Sequence, residues 1–243
     1  RQRLDLFTAN EADRPLLVFM HGGGFIAGDK YSPGTPYYHN IGVWAVRQGF
    51  NAVNITYRLA PQFQWPSGVE DIHRAIMWLK ANGSDLGIGT DNIFLMGQSA
   101  GAAHVAGYIA HPGIYAPDAP GVKGIILVSG LYNFESMQVG DLERAYIGDE
   151  PARYAERSSI KGLVETDIPM LVTAAQYDPA FFEAQALELL MARQQKHQQM
   201  PEFVHLIGQN HISGILYLGL EGDLLGAQME NFIRENTGAG QAF

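Results

Sequence analysis

The sequence holds 243 residues, 47% hydrophobic and 17% charged, which suits one domain spanning residues 1–243 with a sizeable core. Its net charge of −9 leaves no basic footprint for nucleic acid or anionic lipid, and the absence of cysteine excludes disulfides, thiolate chemistry and cysteine-ligated zinc. No apolar run approaches the roughly 20 residues of a membrane helix, and no signal peptide is visible, so a cytoplasmic protein without nucleic-acid or membrane partners is expected.

Short apolar runs alternate along the chain with longer amphipathic ones, the signature of a parallel sheet covered by helices. Leu4–Phe7 can supply one strand at most, residues 15–20 read as a buried strand, 38–48 as a helix and 50–56 as the next strand. Residues 67–80 are the best-marked helix. Ser67 and Glu70 have capping-box spacing behind Pro66, and Val69, Ile72, Ile76 and Leu79 fall on one face. A strand over 93–96, a helix of small residues over 100–110, and strands over 124–128, 170–175 and 203–207 follow. Helices are expected over 181–195 and 215–234. The expected fold is a mostly parallel, doubly wound α/β sheet with helices on both faces. Residues 131–166 carry no strand pattern and are long for a connection. They read either as an irregular crossover or as a small lid over the carboxyl ends of the strands.

The chemistry begins at Gly97-Gln98-Ser99-Ala100-Gly101, a G-x-S-x-G directly after the apolar run 93–96. A serine at a sharp strand-to-helix turn is strained, and small neighbours make the turn possible. Gly97 and Gly101 supply that room, and a helix starting at Ala100 aims N–H groups and its positive end at a developing oxyanion. His21-Gly22-Gly23-Gly24-Phe25 follows the run 15–20. No G-K-[ST] or G-x-G-x-x-G accompanies it, so an oxyanion loop fits better than a phosphate cradle.

The base and acid should follow Ser99 in the order acid, then histidine. His211 stands in a polar loop just past the last strand, whereas His205 lies inside that strand and reads as a core or sheet-face residue. His104 reads as structural behind the elbow, and His21 as a brace for its own glycines. Asp178 follows the penultimate strand at the required end. Asp167 is at the wrong end, Glu183 is already in the next helix, and Glu135 is the first acid after the preceding strand. The structural alternative for Asp178 is to cap that helix, and the two roles can coexist. Tyr31, Tyr37, Trp65, Tyr132 and Phe182 are candidates for an aromatic pocket, each equally well explained by packing.

The set His21-Gly-Gly-Gly-Phe25, Tyr57-Arg-Leu-Ala-Pro61, Gly97-Gln-Ser-Ala-Gly101, Tyr177-Asp-Pro179 and Asn210-His211 resembles the hormone-sensitive-lipase-like carboxylesterases. The Ser-Ala-Gly-Ala103 and Tyr154-Ala-Glu-Arg-Ser-Ser159 stretches are similar to small bacterial feruloyl and acetyl-xylan esterases, and more distantly to kynurenine formamidases. The resemblance implies an α/β-hydrolase and a cofactor-free serine esterase acting on short acyl, aryl, acetyl or feruloyl esters. It places the oxyanion donors at the N–H groups of Gly23, Gly24 and Ala100. An arylformamidase or amidase on the same residues is the alternative enzyme, and a non-catalytic binding module is the alternative from another class. Only fourteen residues precede the strand at Pro15, where the family usually has two further strands and a helical cap.

Overall fold

The computed structural model describes residues 1–9, 11–115 and 121–238. In chain order the elements are β1 (Leu4–Phe7), β2 (Leu16–Met20), α1 (His39–Arg47), β3 (Asn51–Ile55), α2 (Ser67–Asn82), β4 (Ile93–Gln98), α3 (Ala100–Ala110), β5 (Gly124–Val128), α4 (Asp141–Ile147), α5 (Tyr154–Arg157), α6 (Ile160–Glu165), β6 (Met170–Tyr177), α7 (Ala180–His197), β7 (Glu202–Asn210), α8 (Ser213–Leu216) and α9 (Gly226–Asn236). The strands form one sheet in the order β1-β3-β2-β4-β5-β6-β7, with β1 antiparallel to β3 and every other pair parallel.

The central strands are apolar because both of their faces are covered. Every residue of β2, β3, β4 and β5 is buried. One face packs Val69, Ile72 and Ile76 of α2, Val105 of α3, Leu163 of α6 and Leu189 of α7 against the sheet. The other packs Ile41 and Trp44 of α1, Ile215 of α8, and Met229, Phe232 and Ile233 of α9. The expected arrangement, with helices on both faces, is therefore what the chain adopts.

The topology also creates the site. The chain leaves β2 toward β3 on one side and returns through α2 to β4 on the other, so β2 and β4 are neighbours and the direction of winding reverses between them. Ligands bind in the crevice at such a switch point, beyond the carboxyl ends of the strands. Because Met20 pairs with Gly97, the loops after β2 and β4 emerge side by side.

Several local expectations need correction. The capping box at the start of α2 does not form. Pro66 takes the cap position, the Ser67 hydroxyl donates to the Phe63 carbonyl at 3.2 Å, and Glu70 accepts from Arg58 at 2.7 Å. A tertiary ion pair has drawn away the carboxylate that local spacing assigned to the helix end. The helix expected over 215–234 is two helices, α8 and α9. Gly219 and Gly222 adopt positive φ between them, and Asp223 accepts from the N–H groups of Leu225 and Gly226 to start α9. An apolar period had run through what is an aspartate-capped turn. Strands β6 and β7 extend beyond their apolar cores to pair Tyr177 with Asn210, past an irregularity after Ala175. Within residues 131–166 lie α4, α5 and α6. Tyr132, Phe134, Tyr146, Ile147 and Leu163 are buried there, while Leu142 is exposed.

Candidate active site

Ser99 occupies the turn between β4 and α3 with φ 56° and ψ −120°, a region non-glycine residues enter at a strain of about 1–3 kcal/mol. The turn holds because the Ser99 N–H donates to Val128 at 2.8 Å and its carbonyl accepts from Ala103 at 3.1 Å. A Cβ on Gly97 would strike the Gly101 carbonyl, and one on Gly101 would strike the backbone of Met20 and His21. The glycine spacing is thus a steric demand of strand, turn and helix meeting at one point.

His211 follows β7 and meets Asp178, which follows β6, with 2.7 Å between Nδ1 and Oδ1. The Asp178 side chain has no solvent exposure, and its Oδ2 accepts from the Ala175 N–H and the Ser129 hydroxyl, both at 2.7 Å. Burial alone would raise this carboxyl. The bonds from His211, Ala175 and Ser129 together outweigh burial and hold it below the ordinary aspartate range. The Phe182 ring stacks on the imidazole at 4.2 Å.

Ser99, Ala100, His211, Gly23 and Gly24 line one cavity of about 410 Å³. Its walls are largely apolar, from Leu131, Leu142, Phe181, Phe182 and Ile212, and Glu143 adds a carboxylate to the lining. Gly23 and Gly24 both adopt positive φ. Among the described residues, none accepts a hydrogen bond from the N–H groups of Gly23, Gly24 or Ala100.

Of the aromatic candidates, Tyr37 and Phe182 line this cavity, whereas Tyr132 is buried in the core, Trp65 packs beside His111, and Tyr31 is exposed beneath Lys30. Of the two readings of His205, core or sheet face, the second holds. It is exposed on the edge strand, its Nε2 lying 3.6 Å from Glu183. That contact also accounts for Glu183, while Asp167 precedes β6 at the opposite end of the strand. Ser129, Gln98 and Tyr38 were missed by the sequence reading. Ser129 carries one signal of its role, its place at the carboxyl end of β5, where it adopts φ 48°.

His21 and His104 sit behind the site, both buried. The His21 Nδ1 donates to the Gly22 carbonyl at 2.6 Å and its ring stacks on Tyr57, so it braces the glycine loop. Burial, opposed by that bond, lowers His21 to about 4, and burial with His21 nearby lowers His104 to about 3. The unfolded chain takes up these protons below about pH 6.5, and the folded chain resists until the lowered values. Stability should therefore fall as pH drops from 6.5 toward 4, by up to about 1.4 kcal/mol per pH unit for each histidine. The Asp178 contribution has its own window, persisting at these pH values and vanishing as pH falls through its depressed folded value. Urea unfolding at pH 7, 6 and 5 measures the effect. Equal stability at pH 7 and 5 would overturn it.

A family model, BD-FAE, matches residues 4–193. Esterase LipI of Mycobacterium tuberculosis is 34% identical over 98 residues, 40% of this chain and 29% of that protein. The chain spans about half or less of the length of the curated relatives it matches. An esterase structure from Pyrobaculum calidifontis superposes with a TM-score of 0.77 at 23% identity, covering 96% of this chain and 80% of that one. A truncated carbohydrate esterase from gut microbiota superposes with a TM-score of 0.81 at 17% identity, covering 97% and 90%. At such identities the structural likenesses establish the α/β-hydrolase fold alone. No helix among the described residues is long and apolar enough to cross a membrane.

Proposed function

Since the chain belongs to the BD-FAE family, among the hormone-sensitive-lipase-like carboxylesterases of the α/β-hydrolase fold, we propose that it is a serine carboxylesterase cleaving short-chain acyl or aryl esters through an acyl-enzyme. The reading rests on one observation above others. A buried carboxylate bonded to His211 at 2.7 Å presents that imidazole to the cavity in which Ser99 sits at the head of a helix.

Each residue then has a part. His211 removes the Ser99 proton as Ser99 Oγ attacks the ester carbonyl, and the N–H groups of Gly23, Gly24 and Ala100 receive the oxyanion. The tetrahedral intermediate collapses as His211 returns the proton to the leaving alcohol. Water, deprotonated by His211, then attacks the acyl-enzyme, and the second tetrahedral intermediate collapses as His211 returns that proton to Ser99 Oγ and the carboxylic acid leaves. Asp178 keeps the Nδ1 proton between itself and His211, so that Nε2 is the basic nitrogen. Within residues 131–166 the part that serves as a small lid is α4, whose Leu142 and Glu143 line the cavity.

The test is a pre-steady-state burst of p-nitrophenol from p-nitrophenyl acetate, with steady-state rates on butyrate, methyl ferulate, acetylated xylan and N-formylkynurenine. A burst equal to the enzyme concentration supports the ester reading. Turnover of the formamide alone transfers the same machinery to amide chemistry, and no reaction with any of the panel overturns the enzymatic reading. A chelator is expected to leave the rate unchanged, because the Nδ1 of His211 and both oxygens of Asp178 are already engaged with each other, Ala175 and Ser129. Loss of activity with EDTA, restored by zinc or calcium, would contradict this.

A further inference from the structure

Gln98, one residue before the serine, is 1% exposed, and its side chain reaches two loops at once. Oε1 accepts from the Tyr38 hydroxyl at 2.8 Å, and Nε2 donates to the His211 carbonyl oxygen at 3.0 Å. The Tyr38 oxygen in turn accepts from the Gly22 N–H at 3.0 Å. An unbroken path therefore runs from the glycine loop through Tyr38, ahead of α1, to the elbow and on to the histidine loop.

The polarity of the path is forced at both ends. Tyr38 already accepts from Gly22, so its proton goes to an acceptor, and the His211 carbonyl can only accept, so it faces the amide nitrogen. Burial raises the Tyr38 phenol and keeps that proton in place. The space is fitted to these groups. A Cβ on Gly22 would run into Gln98 Oε1 and Tyr38 Oη, and Tyr38 itself is held at φ 66°.

We propose that Gln98, acting with Tyr38, is a positioning residue that sets the spacing between the oxyanion loop and the His211 loop across Ser99. It acts through the backbone of Gly22 and His211. Only a side chain that accepts at one atom, donates at the other and has this length performs both tasks. Leucine does neither, an ionised glutamate only accepts, and asparagine falls short by a methylene. The inference rests on the ester-hydrolase reading of the site.

The experiment compares Gln98→Leu, Gln98→Glu and Tyr38→Phe with wild type on one short-chain ester, with near-UV circular dichroism as the fold check. Gln98→Leu is expected to lower kcat about 30- to 100-fold with KM within about threefold, since misplacing reacting groups by around 1 Å carries a penalty of that size. Tyr38→Phe is expected to lower kcat less, and the double variant to lose less than the product of the two, because both cut one path. In Gln98→Glu the introduced carboxyl regains a donor only when protonated. The ratio of variant to wild-type kcat should therefore rise as pH falls from 8 to 5.5. The ionisable residues around Gln98 are Tyr38, whose phenol bonds Oε1, His211, whose main-chain carbonyl accepts from Nε2 and which lines the same cavity, and, beyond Tyr38, His21. A simple packing role would leave that ratio flat. The inference is overturned by a flat or reversed ratio, by a kcat for Gln98→Leu within threefold of wild type, or by a loss carried in KM. If Gln98→Leu fails to fold, the pH ratio of Gln98→Glu decides. Wild-type protein inert toward all esters overturns the functional reading and this inference with it. Active wild type with indifferent variants overturns only the inference.

Discussion

Replacing Ser99 by alanine is expected to lower kcat by about 10⁴- to 10⁶-fold, the range seen when a hydrolase loses its nucleophile while its oxyanion donors remain. The fold should survive. Ser99 is 9% exposed and its structural bonds are made by its backbone to Val128 and Ala103, so the substitution removes a hydroxyl and leaves the turn intact. Alanine at φ 56° bears strain similar to that of serine, and the change in stability should stay within about 1 kcal/mol. The measurement is ester hydrolysis by variant protein purified free of host esterases, with thermal unfolding alongside. A variant within tenfold of wild type in kcat would remove Ser99 from the mechanism. Covalent labelling by a fluorophosphonate, mapped to a residue by mass spectrometry, would then show which hydroxyl reacts.

Asp178→Asn should be nearly as damaging, on the order of 10³- to 10⁴-fold in kcat, with KM little changed. The structure supplies the reason. Oδ2 accepts from two donors, the Ala175 N–H and the Ser129 hydroxyl, so an amide at this position must turn its oxygen toward them. Its NH₂ then faces His211 Nδ1, at the 2.7 Å contact, and donates to it. The ring is held in place with its proton on the other nitrogen, the one that must accept from Ser99. Stability should suffer less than rate, because the two buried donors keep their acceptor. A pH–rate profile on one ester, for wild type and variant, reads the effect. Retention of most of kcat would take the acid role from Asp178. Glu183 and Glu135 would be the next to test, although Glu183 lies against His205 and Glu135 is exposed.

The parts of the site legible in the sequence were those carried by local rules. Gly97 and Gly101 stand where the elbow has no room for a Cβ, which makes the motif a record of sterics. His211 and Asp178 could be named because each follows an apolar run at the end that a parallel sheet turns toward one crevice. Ser129, Tyr38 and Gln98 were not legible in this way. Their partners lie 49, 16 to 60 and 60 to 113 residues away, and a serine, tyrosine or glutamine has many uses that spacing does not separate.

The same division runs through the whole protein. Composition, apolar periodicity and glycine placement determined the α/β class, the order of strands and helices, and the identity of the reactive serine and histidine candidates. These depend on burial and on backbone sterics, which act within a few residues of the chain. Tertiary structure alone decided that Glu70 would bind Arg58 in place of its own helix end, that the terminal helix would break at Asp223, and that His205 would face outward toward Glu183. It alone decided the hydrogen bonds that orient Asp178 and tie Gln98 to two loops. A polar side chain takes whichever partner the folded chain brings within about 3 Å, and that distance is set by strand order and register, not by neighbours in sequence.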